Sequence, residues 1–336
     1  MNYYIEVINH NKARQDVDRV FRDLGYTNLT PQSKSVHPVS RFITKLTGVI
    51  RILTTVKRGD TLCLQYPMKK FYYMACTFAH WKGAYVATII HDLGAFRRHK
   101  LTPEQENNRL KKTDFLIAHN DTMKQYLIEK GFKGHICSLG IFDFIVQTEP
   151  KDYDTPHVPR RVFYASNLKK WRNGFLYALQ GVMNEWEMTL YGHGFDEEGK
   201  RNPKLKYAGS LPEDQLIAEA EADFGLVWDG NSIDECDGDW GSYLKINNPH
   251  KTSLYLRAGV PVIIWNKAAI APFIESKGLG VSVGSLKELD EVFRTMTSEE
   301  YNTLKANAKA FSKLLGEGRF VRKAFVTAQQ TLTDVG

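Results

Sequence analysis

The sequence predicts an α/β chain of two doubly wound, parallel-sheet domains, and three observations predict it. Strand-like and helix-like segments alternate almost throughout, as expected when helices cover both faces of a parallel sheet. Residues 147–160, QTEPKDYDTPHVPR, break that rhythm with three prolines and mixed charge, as a linker does. The alternation then restarts, and 336 residues exceed one ordinary domain. The expected division is 1–150, then 160–318, with 319–336 as a helix packing back on the first domain.

In the first half, YYIEVIN reads as a strand and 11–25 as a helix stopped by Gly25. DTLCLQYP, YVATIIHD and DFLIAHN are short apolar runs of strand length, separated by helical stretches at 68–82, 103–112 and 121–130; HICSLGI closes the half. In the second half RVFYASN, EMTLYGHG, LKYAGSL, DFGLVWDG, VPVIIWN and LGVSV read as strands with helices between them. Residues 286–330 read as helices only.

Composition narrows the function. Hydrophobic residues at 43% and charged residues at 25% are ordinary for a globular protein. Cys63, Cys76, Cys137 and Cys236 are scattered without metal-ligand spacing, so reduced thiols are expected. No apolar run spans a membrane, and Met1-Asn2-Tyr3-Tyr4 lacks the basic-then-apolar pattern of a secretory signal, so the expected location is cytoplasmic. The +7 formal charge suits an anionic partner. Aromatic-basic and zinc-finger motifs are absent, which sets nucleic acid aside. INHNKAR follows the first strand where a dehydrogenase carries GxGxxG.

Ligands of open parallel sheets bind beyond the carboxyl ends of the strands. Those positions are Asn9 to Asn11, Gln65 to Pro67, His91 and Asp92, Asn120, Asn167 to Lys170, Gly192 to Gly194, and Asp229 and Gly230. One more such stretch is NNPHKTSLYLRAGVPVIIWN, 247–266. Asn248 is a good helix cap and Pro249 a favoured first helical residue, which puts His250 and Lys251 in the first turn. A lysine beside free backbone N–H groups costs about a few tenths of a kcal/mol. That cost is explained if an anion sits there, because helix start plus lysine makes a phosphate site. A side chain extended into solvent explains Lys251 equally well.

The same stretch resembles the C-terminal signature of a bacterial glycosyltransferase group with the GT-B fold, which includes glucosyltransferase 3-like enzymes and β-1,6-galactofuranosyltransferases. LQYP at 64–67, IIHDL at 89–93, Ala165 to Leu168 and GLVWDG at 225–230 follow the group's order. The resemblance implies two Rossmann-like domains facing across a cleft. It also implies a UDP-sugar donor on the C-terminal domain and a glycan or glycopeptide acceptor, free or lipid-linked, on the N-terminal one. Lys251 and its helix start would meet the diphosphate, with His250 beside them and Asn248 as cap. Asn167 to Lys170 would add a second charge, from Lys169, Lys170 or Arg172. Tyr191 and Gly192 would border the base, and Asp229 and Gly230 the cleft. The group also hints at a homo-oligomer.

Glycosyl transfer needs leaving-group charge neutralised, an acceptor proton removed and water excluded. Cations and a helix start achieve the first without metal, so no metal and no cofactor are expected. Asp237-Gly238-Asp239 is formally a DxD, but it does not end an apolar strand, and a solvated acidic loop is the preferred reading. The paired glutamates of many retaining relatives would fall at Ile246 and Leu254; neither is acidic, which favours inversion. Asp92 is the first candidate for the base and His91 the second; a turn-capping role accounts for Asp92 as readily.

Residues 40–58 carry Phe42, Ile43, Leu46, Val49, Ile50, Leu53 and Val56 at helical spacing, with Arg41, Lys45, Arg51, Lys57 and Arg58. Peripheral contact with the inner face of a membrane and burial as a crossover helix both explain the pattern. The sequence therefore predicts an inverting, UDP-sugar-dependent hexosyltransferase moving galactofuranose or glucose. Its rival is a non-catalytic module that binds a sugar nucleotide or supports a partner enzyme.

Overall fold

The computed structural model describes residues 1–6, 11–32, 37–97 and 101–334. Residues 9 and 10, singled out above as strand-end positions, lie outside the described residues. The chain divides into two compact units, Met1–Asp143 with Gly318–Gly336, and Phe144–Glu317.

The first unit runs β1 (Asn2–Tyr4), α1 (Lys12–Asp23), β2 (Thr27–Asn28), α2 (Pro38–Thr55), β3 (Thr61–Tyr66), α3 (Lys70–Trp81), β4 (Tyr85–Ile90), α4 (Gly94–Arg97), α5 (Pro103–Leu110), β5 (Phe115–Ala118), α6 (Asp121–Glu129) and β6 (His135–Ser138). Among the described residues its six strands are all parallel, in the order β2-β1-β3-β4-β5-β6. Every residue of β3 is buried, as a strand covered on both faces must be.

The second unit runs β7 (Arg160–Ala165), β8 (Trp186–Tyr191), β9 (Leu205–Tyr207), α7 (Glu213–Glu219), β10 (Phe224–Val227), α8 (Gly238–Tyr243), α9 (His250–Arg257), β11 (Val262–Trp265), α10 (Ala271–Ser276), β12 (Gly280–Val283), α11 (Leu289–Thr295) and α12 (Ser298–Gly316). The sheet order is β12-β11-β10-β7-β8-β9, again all parallel. The strand order therefore reverses between β7 and β10. A last helix, α13 (Arg319–Asp334), returns to the first unit, where Asp143 accepts hydrogen bonds from Phe320 N and Val321 N at its start.

Two expectations fail locally. The connections β7–β8 and β8–β9 contain only single 3-10 turns, Gly174–Ala178 and Gly199–Arg201, rather than helices. The first stretch is cut short by Gly181 at φ +84°. The strand expected over 205–211 stops at Tyr207, before Gly209 at φ +80°.

Candidate functional site

Helix α9 is fixed from beneath. Tyr255 crosses under β10 at Gly225, where a Cβ would meet its ring at 2.3 Å, and its hydroxyl accepts from Ala165 N at 2.9 Å. Buried Arg257 bonds Thr148 O at 2.8 Å, Glu149 at 2.9 Å and Ser312 at 3.0 Å. The start of the helix is thereby held over the carboxyl ends of β7 and β10, the switch point where doubly wound sheets bind ligands.

The helix begins one residue later than expected. Pro249, not Asn248, holds the capping position, with an extended ψ of 128° and no side-chain cap bond. Asn248 is buried just ahead of it. His250 opens the helix with its ring stacked on Phe144 at 4.9 Å.

Lys251 does not reach into solvent. Its Nζ donates to Asp229 Oδ2 at 3.0 Å, Trp228 O at 3.2 Å and Tyr164 Oη at 3.3 Å, and it lies 4.7 Å from the Tyr164 ring centroid. An ammonium has three hydrogens, and three acceptors take them. Burial pushes its pKa down, and the Asp229 carboxylate opposes that shift.

Asp229 also faces Arg172, whose Nη2 lies 3.6 Å from Oδ1 and whose guanidinium sits 3.4 Å over the Trp240 ring. Two cations thus share one carboxylate and leave one excess positive charge in a mostly buried setting. Arg172 Nε, Asn247 Oδ1 and Thr252 Oγ1 are buried and make no hydrogen bond within the protein. Such groups are costly unless something else satisfies them.

Of the three cations left open by the sequence, the structure brings Arg172 to Asp229. Lys170 pairs with Glu198 at 2.7 Å, both exposed, and Lys169 is exposed with its stem against Gly194. Asn167 organises the loop: its Oδ1 accepts from Lys169 N at 3.1 Å and its carbonyl from Asn173 Nδ2 at 2.6 Å. Gly192, after half-buried Tyr191, has φ +141°, and a Cβ there would lie 1.8 Å from Ser166 O. Gly230, at φ +123°, has no room for a Cβ beside Asp237.

In the DxD, Asp237 accepts from Asn231 N, and nearby Asp234 pairs with Lys287 at 2.9 Å. Among the described residues no cluster of three or more metal-type side chains forms. Ile246 and Leu254 are buried.

In the first unit, His91 and Asp92 follow β4. His91 Nε2 meets Gln65 Oε1 at 2.7 Å, and its ring stacks on Phe142 at 5.4 Å. Gln65 Nε2 donates to Asp18 Oδ1 at 2.6 Å, so Oε1 is the acceptor and His91 Nε2 carries the hydrogen. Burial raises the Asp18 carboxyl to about 8. Asp92 is buried, and Glu106 holds the start of α4, accepting from Gly94 N at 2.8 Å, Ala95 N at 2.9 Å and Tyr66 Oη at 3.0 Å. Burial raises the Glu106 pKa, and Asp92 adds to the shift. Gln65 and Tyr66 are interior and hydrogen-bonded within the unit. A cavity of about 720 Å³ by Arg58, Trp81 and Asp114 opens at the amino ends of β3 and β4, away from all these groups.

Sequence reasoning missed Tyr164 and Trp228, within segments read as strands, and Trp240, which follows the DxD by one residue. Glu106 and Asp18 carried no local signal.

The site can be set beside known proteins. Residues 2–141 match the N-terminal and 162–328 the C-terminal domain model of the glucosyltransferase 3-like family. The β-1,6-galactofuranosyltransferase WbbI of Escherichia coli K12 is 35% identical over 286 residues, covering 82% of this chain and 84% of WbbI. The chain belongs to the glucosyltransferase 3-like family. It is a glycosyltransferase with the GT-B fold. Glucosyltransferase 3 of Streptococcus gordonii is 25% identical across 94% of the chain and 92% of its own length. The fold matches that of Anabaena HepE in complex with UDP-glucose, TM-score 0.59 at 12% identity over 99% and 98% of the two chains. It also matches the lipopolysaccharide outer core galactosyltransferase WaaB, TM-score 0.60 at 12% identity over 98% and 99%.

Proposed function

We propose that this glycosyltransferase moves a hexose, galactofuranose or glucose, from a UDP-sugar to a hydroxyl of a surface-glycan or glycoprotein acceptor, with inversion. The observation that carries the donor half is the Arg172–Asp229–Lys251 cluster at the β7/β10 switch point. HepE binding UDP-glucose and WbbI being a galactofuranosyltransferase support the donor class.

Arg172 takes the direct pyrophosphate contact, because its Nε has no partner in the protein while the three hydrogens of Lys251 are engaged. Lys251 and the start of α9 supply fixed positive charge, which stabilises the departing UDP, one negative charge richer than the bound donor's pyrophosphate, more than it stabilises the donor itself. His250, Asn248, Gly230 and the Asn167–Lys170 loop border the diphosphate and sugar, and Tyr191 and Gly192 the base. Asp92 takes the acceptor proton, with His91 as the alternative. The acceptor oxygen bonds the anomeric carbon as the bond to the pyrophosphate oxygen breaks, and that electron pair leaves with UDP. With protein cations at the leaving group, turnover needs no metal.

The test is a donor panel read by mass spectrometry, with the product anomer read by NMR. Release of UDP from one hexose donor with inverted product supports the proposal. Binding of UDP without turnover of any donor, with acceptor glycans present, overturns it.

A further inference from the structure

Helix α2 is apolar on two faces. Its inward face holds Thr44, Gly48, Val49 and Ile52, all buried, and a Cβ on Gly48 would sit 3.3 Å from Thr30 Oγ1. At 100° per residue, Val39, Phe42, Ile43, Leu46, Ile50 and Leu53 form one stripe on the other side. Val39, Phe42, Ile43 and Ile50 are exposed large apolar residues, with Ile43 at 55%. Helix α3 packs alongside, Phe71 against Phe42 at 5.3 Å, and adds exposed Tyr73 and Trp81. Six of the twelve large apolar side chains exposed among the described residues therefore lie in residues 38–82.

The charge is concentrated in the same place. Residues 38–82 hold eight Lys and Arg and one acidic residue, Asp60, a net +7. The whole chain is also +7, so the remainder is neutral. Asp60 is buried and accepts from Lys57 N at 2.7 Å. Asp114, beside the end of α3, is bonded to His80 at 3.0 Å and Val86 N at 2.7 Å. Burial first, and then the nearby cations Arg41, Arg14 and Lys69, push Lys45 below its ordinary pKa.

We propose that the outer face of α2 and α3 docks on an anionic phospholipid bilayer. An apolar stripe with aromatic residues seats in the headgroup boundary, while flanking Lys and Arg meet lipid phosphates. A bilayer with anionic headgroups takes both features at once, the apolar side chains at the headgroup boundary and the cations at the phosphates. Among the described residues no helix is long and apolar enough to span a membrane, so the contact is peripheral.

The experiment sediments the full chain with vesicles of phosphatidylglycerol or of phosphatidylcholine, at low and high salt. Wild type is expected to pellet with phosphatidylglycerol at low salt and to be released by high salt. Ile43→Asp with Ile50→Asp, and separately Arg51→Glu with Lys57→Glu, should each lower partitioning about tenfold or more. UDP affinity should not change in either variant, which also reports folding and separates this proposal from the donor reading. Failure of wild type to pellet, equal binding to phosphatidylcholine, or variants that bind like wild type would each overturn it. So would a wild-type dimer that the Ile43→Asp, Ile50→Asp protein splits, since the face would then be a subunit contact.

Discussion

Lys251 Nζ lies 3.0 Å from Asp229 Oδ2, and the two join α9 to the end of β10 at the point where the strand order reverses. The pair is not a surface salt bridge, and removing one partner strands the other. Lys251→Met should lower kcat/KM about 10²- to 10³-fold. Asp229→Asn should weaken the lysine's hold and cost less. Steady-state kinetics on both, with UDP affinity measured separately, checks the order.

Arg172 and lysine are not interchangeable at this position. The guanidinium lies flat over Trp240 while facing Asp229, a geometry no ammonium reproduces. Arg172→Lys should therefore recover little of the UDP affinity lost in Arg172→Ala, measured by titration calorimetry.

Gly192 tolerates no side chain. Gly192→Ala places a Cβ against Ser166 O at φ +141° and should lower Tm markedly or abolish soluble protein, whereas Gly181→Ala meets no atom within 4 Å and pays only for its φ of +84°. Thermal melts of the two variants separate the clash from backbone strain.

Asp92→Asn and His91→Asn should lower kcat about 10²- to 10⁴-fold for whichever residue takes the proton, leaving UDP affinity unchanged. The other variant should lose less. Equal, small losses in both would place the base elsewhere.

Lys305 gives a pH signature. Burial holds its pKa down to about 8, beside Tyr153 Oη at 3.1 Å. The folded state then binds fewer protons than the unfolded one between about 8 and the ordinary lysine value, so stability from this group rises with pH across that window. Below pH 8 the charged form is a net cost. Lys305→Met should raise Tm at pH 7, and the gain should shrink as pH rises through that window.

The fold was legible because β3, β4 and β10 are short apolar runs ended by turn residues, a signal that needs no tertiary context. The connections after β7 and β8 were not, because glycines at positive φ cut helices that periodicity alone would allow. In the site, Lys251 was legible from its place at a helix start and Asp229 from its strand end. Their pairing was not, since it depends on Tyr255 drawing α9 down over Gly225. Arg172 could not be separated from Lys169 and Lys170 in the loop, because what distinguishes it, Asp229 and Trp240, lies 57 and 68 positions away in the chain. The stripe on α2 was visible, but which way it turned depended on Gly48 packing against Thr30.

Titration of wild type and Arg172→Ala with UDP is the most direct measurement. A charged hydrogen bond to phosphate contributes about 1.5–3 kcal/mol, so the variant should bind UDP about 10- to 100-fold more weakly. Equal affinity in the two proteins would contradict a pyrophosphate site at Arg172, Asp229 and Lys251.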